Sequence, residues 1–204
     1  EDTDLGMKVT AAGLHAICQT GSKVVHLEGI TSGTDVRRGI KRHQVRNQEL
    51  FQQRWASRLQ SHPDHEQASA RTTDRHYTRV VLVIDALTPQ PDRDSGSLRL
   101  FNLMRLLKEE GAHVVFNPAN RAHDGRYTEA LQQLGVEVWY APFAKRPHAW
   151  LRDHGARFDT VVVCRHYVLR EWLPLLRKFA PQAKLVFDTV DLPYLRERRG
   201  AGLA

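Results

Sequence analysis

In a parallel sheet, ligands gather in the loops that follow the strands, and three such loops here carry side chains suited to chemistry. The run "CRHYV" places Arg165 and His166 directly after the apolar stretch "TVVV". A histidine there can polarise or deprotonate a substrate hydroxyl, because its ordinary pKa lies near neutrality. The run "DALTPQPDRDSGSLR" follows "RVVLVI" and exceeds the usual length of a strand-to-helix connection. It ends with Gly96, Ser97 and Arg99 opening a helix, where free N–H groups favour an anion or a hydroxyl-rich ligand. The plainer readings are that Asp94 or Ser95 caps this helix and that Arg99 lies on the surface. The run "FDTVDLPYLRER" offers Asp188 and Asp191, either as acceptors for ligand hydroxyls or as helix caps. Neither the three-glycine dinucleotide fingerprint nor the lysine of a triphosphate-binding loop is present, which argues against a nicotinamide enzyme.

A second set of polar residues lies near the start. Glu1 and Asp2 fall on the first turn of a predicted helix, where acids suit the helix dipole whatever else they do. His26 ends the apolar run "KVVH" and reads most simply as a strand histidine. His62 and His65 have a spacing a metal can use, but Pro63 lies between them and no third ligand is near, so they read as solvated. Cys18 and Cys164 each sit in an apolar run, as buried free thiols do.

The elements that must position these residues form two blocks. In the first, Leu5, Val9 and Ala12 recur at helical spacing with Gly13 as the C-terminal cap. "LHAICQ" and "KVVHLEG" then read as strands, and Val36 to Leu59 as one long helix starting near a Thr34 cap. A block this small cannot bury all of those apolar faces by itself. Residues 60–78 are polar and aperiodic and read as a linker. From residue 79 onward, apolar strands at "RVVLVID", "HVVFN", "VEVWYA", "TVVVC" and "KLVFD" alternate with helices. Runs buried on both faces and alternating with helices predict a parallel sheet wound in right-handed βα units.

Composition narrows the partners. The chain has 204 residues, 41% hydrophobic and 26% charged, which is ordinary globular usage. No apolar run approaches the roughly 20 residues of a membrane-spanning helix, and a soluble cytoplasmic protein is expected. The net charge of +7 comes mostly from dispersed arginine, without zinc-finger spacing or a helix-turn-helix signature, so nucleic acid is not the expected partner. That charge also suits peripheral contact with an anionic membrane face.

Two stretches resemble known transferases. "EDTDLGMKVTAAGLHAICQTGSKVVHLEG" resembles the C-terminal part of the catalytic domain in family 2 glycosyltransferases of the GT-A fold. There an acidic pair followed by Asp-Leu opens a helix, and a strand ending Val-Val-His-x-Glu-Gly follows. "VLVIDALTPQPDRDSGSLRLFNLMRLL", "YTEALQQLGVEVWYAPF", "DTVVVCRHYV" and "KLVFDTVDLPYLRERR" together resemble the N-terminal, acceptor-binding domain of family 4 glycosyltransferases of the GT-B fold. The resemblance implies a partial GT-A helix-strand-strand-helix segment over residues 1–59, a linker over 60–78, and a Rossmann-like α/β domain over 79–204.

For chemistry, the first resemblance implies inverting transfer with Asp2 as base, Glu1 beside it, and His26 near the diphosphate or its divalent metal, magnesium or manganese. The second matches Gly96, Ser97 and His166 to the rim of the acceptor cleft, with Arg99 and Asp188 as weaker matches. Both families' nucleotide-binding parts are missing, including the Asp-x-Asp motif. The chain therefore reads as a segment of a larger bacterial tandem enzyme that moves sugar from a nucleotide-sugar donor to a glycan or lipid-linked acceptor in cell-surface polysaccharide synthesis. The segment alone is expected to hold no cofactor and to turn over little. The alternative is a non-catalytic Rossmann-like module that binds an acceptor glycan or a protein partner.

Overall fold

A computed structural model of the chain describes residues 2–14, 24–25, 42–62, 74, 77–144, 146–189 and 193–201. The chain divides into two compact units, Glu1–His65 and Glu66–Ala204. No helix among the described residues is long and apolar enough to cross a membrane.

In the first unit the described helices are α1 (Asp2–Ala11), α2 (Arg42–Arg54) and α3 (Ala56–Leu59). Gly13, at φ +76°, follows α1, where a residue without Cβ is least strained. α1 buries none of its residues, and Leu5 is 63% exposed. The helix read as continuous through Leu59 breaks at Trp55, whose φ of −107° and ψ of 14° leave the helical range. Its start near Thr34 lies outside the described residues. So does most of the two predicted strands, but Val24 and Val25 belong to no strand and are more than four-fifths exposed, at 85% and 84%. An apolar run of this length is only a weak prior for strand, because strand propensity largely reflects side-chain packing in the finished sheet.

The second unit is an α/β, Rossmann-like fold around a five-stranded, all-parallel sheet of order β3-β2-β1-β4-β5. The strands are β1 (Val80–Asp85), β2 (His113–Pro118), β3 (Glu137–Val138), β4 (Thr160–Cys164) and β5 (Lys184–Asp188). Between and after them run α4 (Ser95–Glu109), α5 (Gly125–Gln133), α6 (Pro147–His154), α7 (His166–Phe179) and α8 (Pro193–Ala201). The uninterrupted apolar runs are explained by helices on both faces. Val80, Leu82 and Ile84 of β1 pack with Trp150, Leu151, Trp172 and Leu176 from α6 and α7. Val81 and Val83 turn the other way, against Leu100 and Met104 of α4 and Leu131 of α5. Each such fully buried aliphatic side chain contributes roughly 1.5–3 kcal/mol.

Two strands differ from expectation. β3 covers only Glu137–Val138 of the run "VEVWYA". β5, read as buried on both faces, is an edge strand with Val186 37% and Phe187 39% exposed. Part of the predicted linker is also structural: Asp74 is 6% exposed, and the Tyr77 ring stacks on His113.

Candidate functional site

The sheet order reverses between β1 and β4, because β1 leads to β2 on one side while β4 and β5 lie on the other. The carboxyl ends of these two strands are therefore the switch point of the sheet, the usual ligand position in open α/β folds. Register decides which side chains reach it. Ile84 pairs with Val163 and Cys164 pairs with Asp188, so Asp85, Cys164 and Asp188 form a row across three strands. Strand alternation turns all three to the α4 face.

Each carboxylate in the row holds an arginine. Arg165 donates from Nε to Asp85 Oδ1 at 2.8 Å, and the Ala86 N–H donates to the same oxygen at 2.7 Å. Arg99 of α4 donates from Nη1 to Asp188 Oδ2 at 2.6 Å. Arg165 has φ 67° and ψ 133°, a backbone conformation that side-chain-bearing residues rarely adopt. Burial pushes the Asp85 carboxyl above its ordinary range, with Asp188 adding to the rise, and Ala86 and Arg165 only partly offset it. Cys164 lies between the two aspartates, fully buried. Burial, then the charges of Asp85 and Asp188, hold its thiol well above the ordinary range, which favours the neutral form.

The loop after β1 is fixed by its cap. Asp94 accepts hydrogen bonds from the Ser97 N–H at 2.8 Å and from the Ser97 hydroxyl at 2.6 Å. Those bonds, the Ser97 hydroxyl first, draw the Asp94 carboxyl below its ordinary range. The capping reading of Asp94 thus holds, and Ser97 is committed to it. Gly96 lies in the same first turn of α4. His166, the first residue of α7, is exposed at the same carboxyl edge.

Gly96, Ser97, Arg99, His166 and Asp188 therefore share one edge of the sheet, and Arg99 and Asp188 are in direct contact. Asp2 is exposed on the first turn of α1, in the other unit. The engaged acid there is Asp4, which accepts from Lys8 at 2.6 Å, from Arg54 at 3.0 Å and from the Trp55 indole at 2.8 Å. Lys8 first, then Trp55, draw its carboxyl far down. Glu1, His26 and Asp191 lie outside the described residues. The resemblance gives the metal or diphosphate to His26, so that assignment falls outside the described residues, and of its two acids only Asp2 is described. Among the described residues no group of three or more histidine, cysteine or acidic side chains is placed to hold a metal ion.

Neither family models, curated proteins nor solved structures match this chain. Function must therefore be read from the site itself.

The residue the sequence reading passed over is Asp85, the acid closing the apolar run "VVLVI". A charge at the end of a buried strand is the signal that could have found it. A second buried cluster lies toward the opposite end of the sheet. Arg157 donates to both oxygens of Asp74, at 2.7 and 2.8 Å, and to both of Glu137, at 2.9 Å each. His113 meets Asp74 and Glu137, and the Trp139 indole donates to Glu137. The guanidinium fills the space between the two carboxylates, so this network serves the fold.

Proposed function

We propose that the second unit is the acceptor-side half of a glycosyltransferase. The parent would move sugar from a nucleotide-sugar donor to a glycan or lipid-linked acceptor. The observation that carries this reading is Arg165, held out of the common backbone regions by a buried aspartate at the point where the strand order reverses. Backbone strain that the surrounding structure enforces is concentrated at functional sites. The two Asp–Arg pairs supply fixed acceptors and donors side by side, which suits a ligand rich in hydroxyls. His166, the next residue after Arg165, would then lie within reach of a bound hydroxyl as a general base.

In the first unit, the resemblance assigns the base to Asp2, with Glu1 beside it. A divalent ion near His26 would neutralise the leaving diphosphate. The 204-residue chain alone is expected to be inactive.

The test is transfer of radiolabelled sugar by the parent enzyme. Arg165→Ala and His166→Ala should each lower turnover by about 10²-fold, the range for a lost positioning or general-base group. Turnover unchanged in both variants would overturn the reading.

One observation favours the second reading, a non-catalytic module that binds a glycan or a protein. Both carboxylates at the switch point are engaged by arginines, and Cys164 is held as a neutral thiol. Saccharide binding that survives while turnover is unaffected by either substitution would support it.

A further inference from the structure

Among the described residues β5 is bonded to β4 alone, which leaves a row of main-chain groups on its other side. Lys184 N–H donates to Asp159 on the β4 side at 2.9 Å. Strand alternation then turns the N–H and C=O of Leu185 and Phe187 outward. Edge strands are commonly blunted by proline, a bulge or a central charge, and "KLVFD" has none of these between its ends. Its middle is apolar and open, with Val186 and Phe187 both more than a third exposed. Arg99 marks the stripe of α4 beside β5 through its bond to Asp188, and Leu103 and Leu106 follow it at helical spacing. Leu106 is 50% exposed.

We propose that β5 pairs antiparallel with β5 of a second copy of this chain, about a two-fold axis through Val186. The strand is complementary to itself in that register and is fully used by it. Lys184 falls opposite the partner's Asp188, and Leu185 falls opposite the partner's Phe187. Because Leu185 and Phe187 carry the outward main-chain groups, those pairs exchange hydrogen bonds, four in all around the axis. Val186 meets the partner's Val186 in the closer, non-hydrogen-bonded pairing, where apolar side chains gain most. Arg99 already bonds Oδ2 of Asp188, so the partner's Lys184 approaches Oδ1. An axis moved by one residue, to Leu185, would place Lys184 opposite the partner's Val186 and leave only the two hydrogen bonds of the Leu185 pair within the strands. The result is one continuous sheet with the strand order of each copy running outward from the axis.

Sedimentation velocity of the 204-residue protein across micromolar concentrations tests the pairing. A dimer is expected, and Val186→Lys, which sets two ammonium groups face to face at the axis, should leave a monomer with an unchanged circular dichroism spectrum. Lys184→Asp and Asp188→Lys should each be monomeric alone, with like charges opposed. Mixed together they should regain a dimer, because only the mixed pair is complementary. A monomer for the unaltered chain, or a dimer that persists in Val186→Lys, overturns the proposal. Should Asp188→Lys not fold, Lys184→Asp and Val186→Lys still decide it.

Discussion

Arg165 is the central residue of the switch point, and its backbone is under load. A side-chain-bearing residue at φ 67° and ψ 133° costs about 1–3 kcal/mol, which glycine largely escapes. Replacing Arg165 by glycine or by alanine removes the same bond to Asp85, so the comparison isolates the backbone. Arg165→Gly is expected to be more stable than Arg165→Ala by about 1 kcal/mol, read as the difference in urea midpoints. Equal midpoints would mean that the loop relaxes once the guanidinium is gone. Arg157 makes the opposite case, an arginine whose loss is costly because it leaves the buried Asp74 and half-buried Glu137 side by side with only His113 and the Trp139 indole as partners. Arg157→Leu should destabilise by about 3–5 kcal/mol in the same measurement. From sequence, Arg165 stood out by its place after a strand. Arg157 did not, because nothing local in "GARFD" reveals that a buried Asp74 will reach it from the stretch read as a linker.

At the scale of elements, the strands of the second unit were legible because burial on both faces writes itself as unbroken apolar runs. β5 shows the limit of that signal. "KLVFD" has the composition of a central strand, but edge position is a property of the whole sheet and leaves no mark within five residues. The first unit shows another limit, since the short apolar run at Val24 and Val25 reads as strand by composition and yet is exposed and unpaired as strand. Close approach between elements is similarly invisible. At Gly155, just after α6, an added Cβ would lie 2.3 Å from the main-chain oxygen of Phe179 at the end of α7. A backbone atom cannot swing aside as a side-chain tip can. Gly155→Ala is therefore expected to cost about 1–3 kcal/mol, the range for overpacking, with a lower thermal midpoint as the readout. A midpoint equal to that of the unaltered protein would show that α6 and α7 separate freely.

Across the whole molecule, the two ends of the sheet respond to acid with opposite sign. At the Arg157 cluster, burial raises Asp74 and Glu137, but bonds from Arg157 and His113 outweigh it and hold both carboxyls below their ordinary range. Their contribution to stability is complete above the ordinary carboxylate values near about 4 and is lost as pH falls through the lower, folded ones. Half-buried Asp4 and exposed Asp92 and Asp94 are depressed as well and add to the same trend. Asp85 is raised, chiefly by burial, so the fold binds its proton more tightly than the unfolded chain does. Its contribution therefore grows as pH falls through that raised value and partly compensates for the others. With several groups against one, the unaltered protein should lose stability on acidification. Urea midpoints measured from about pH 7 to about pH 3 should fall more steeply for Asp85→Asn, which removes the compensation, and less steeply for Glu137→Gln, which removes part of the loss. If both variants run parallel to the unaltered protein, neither end of the sheet governs its acid response. The other depressed carboxylates would then have to account for the whole of it.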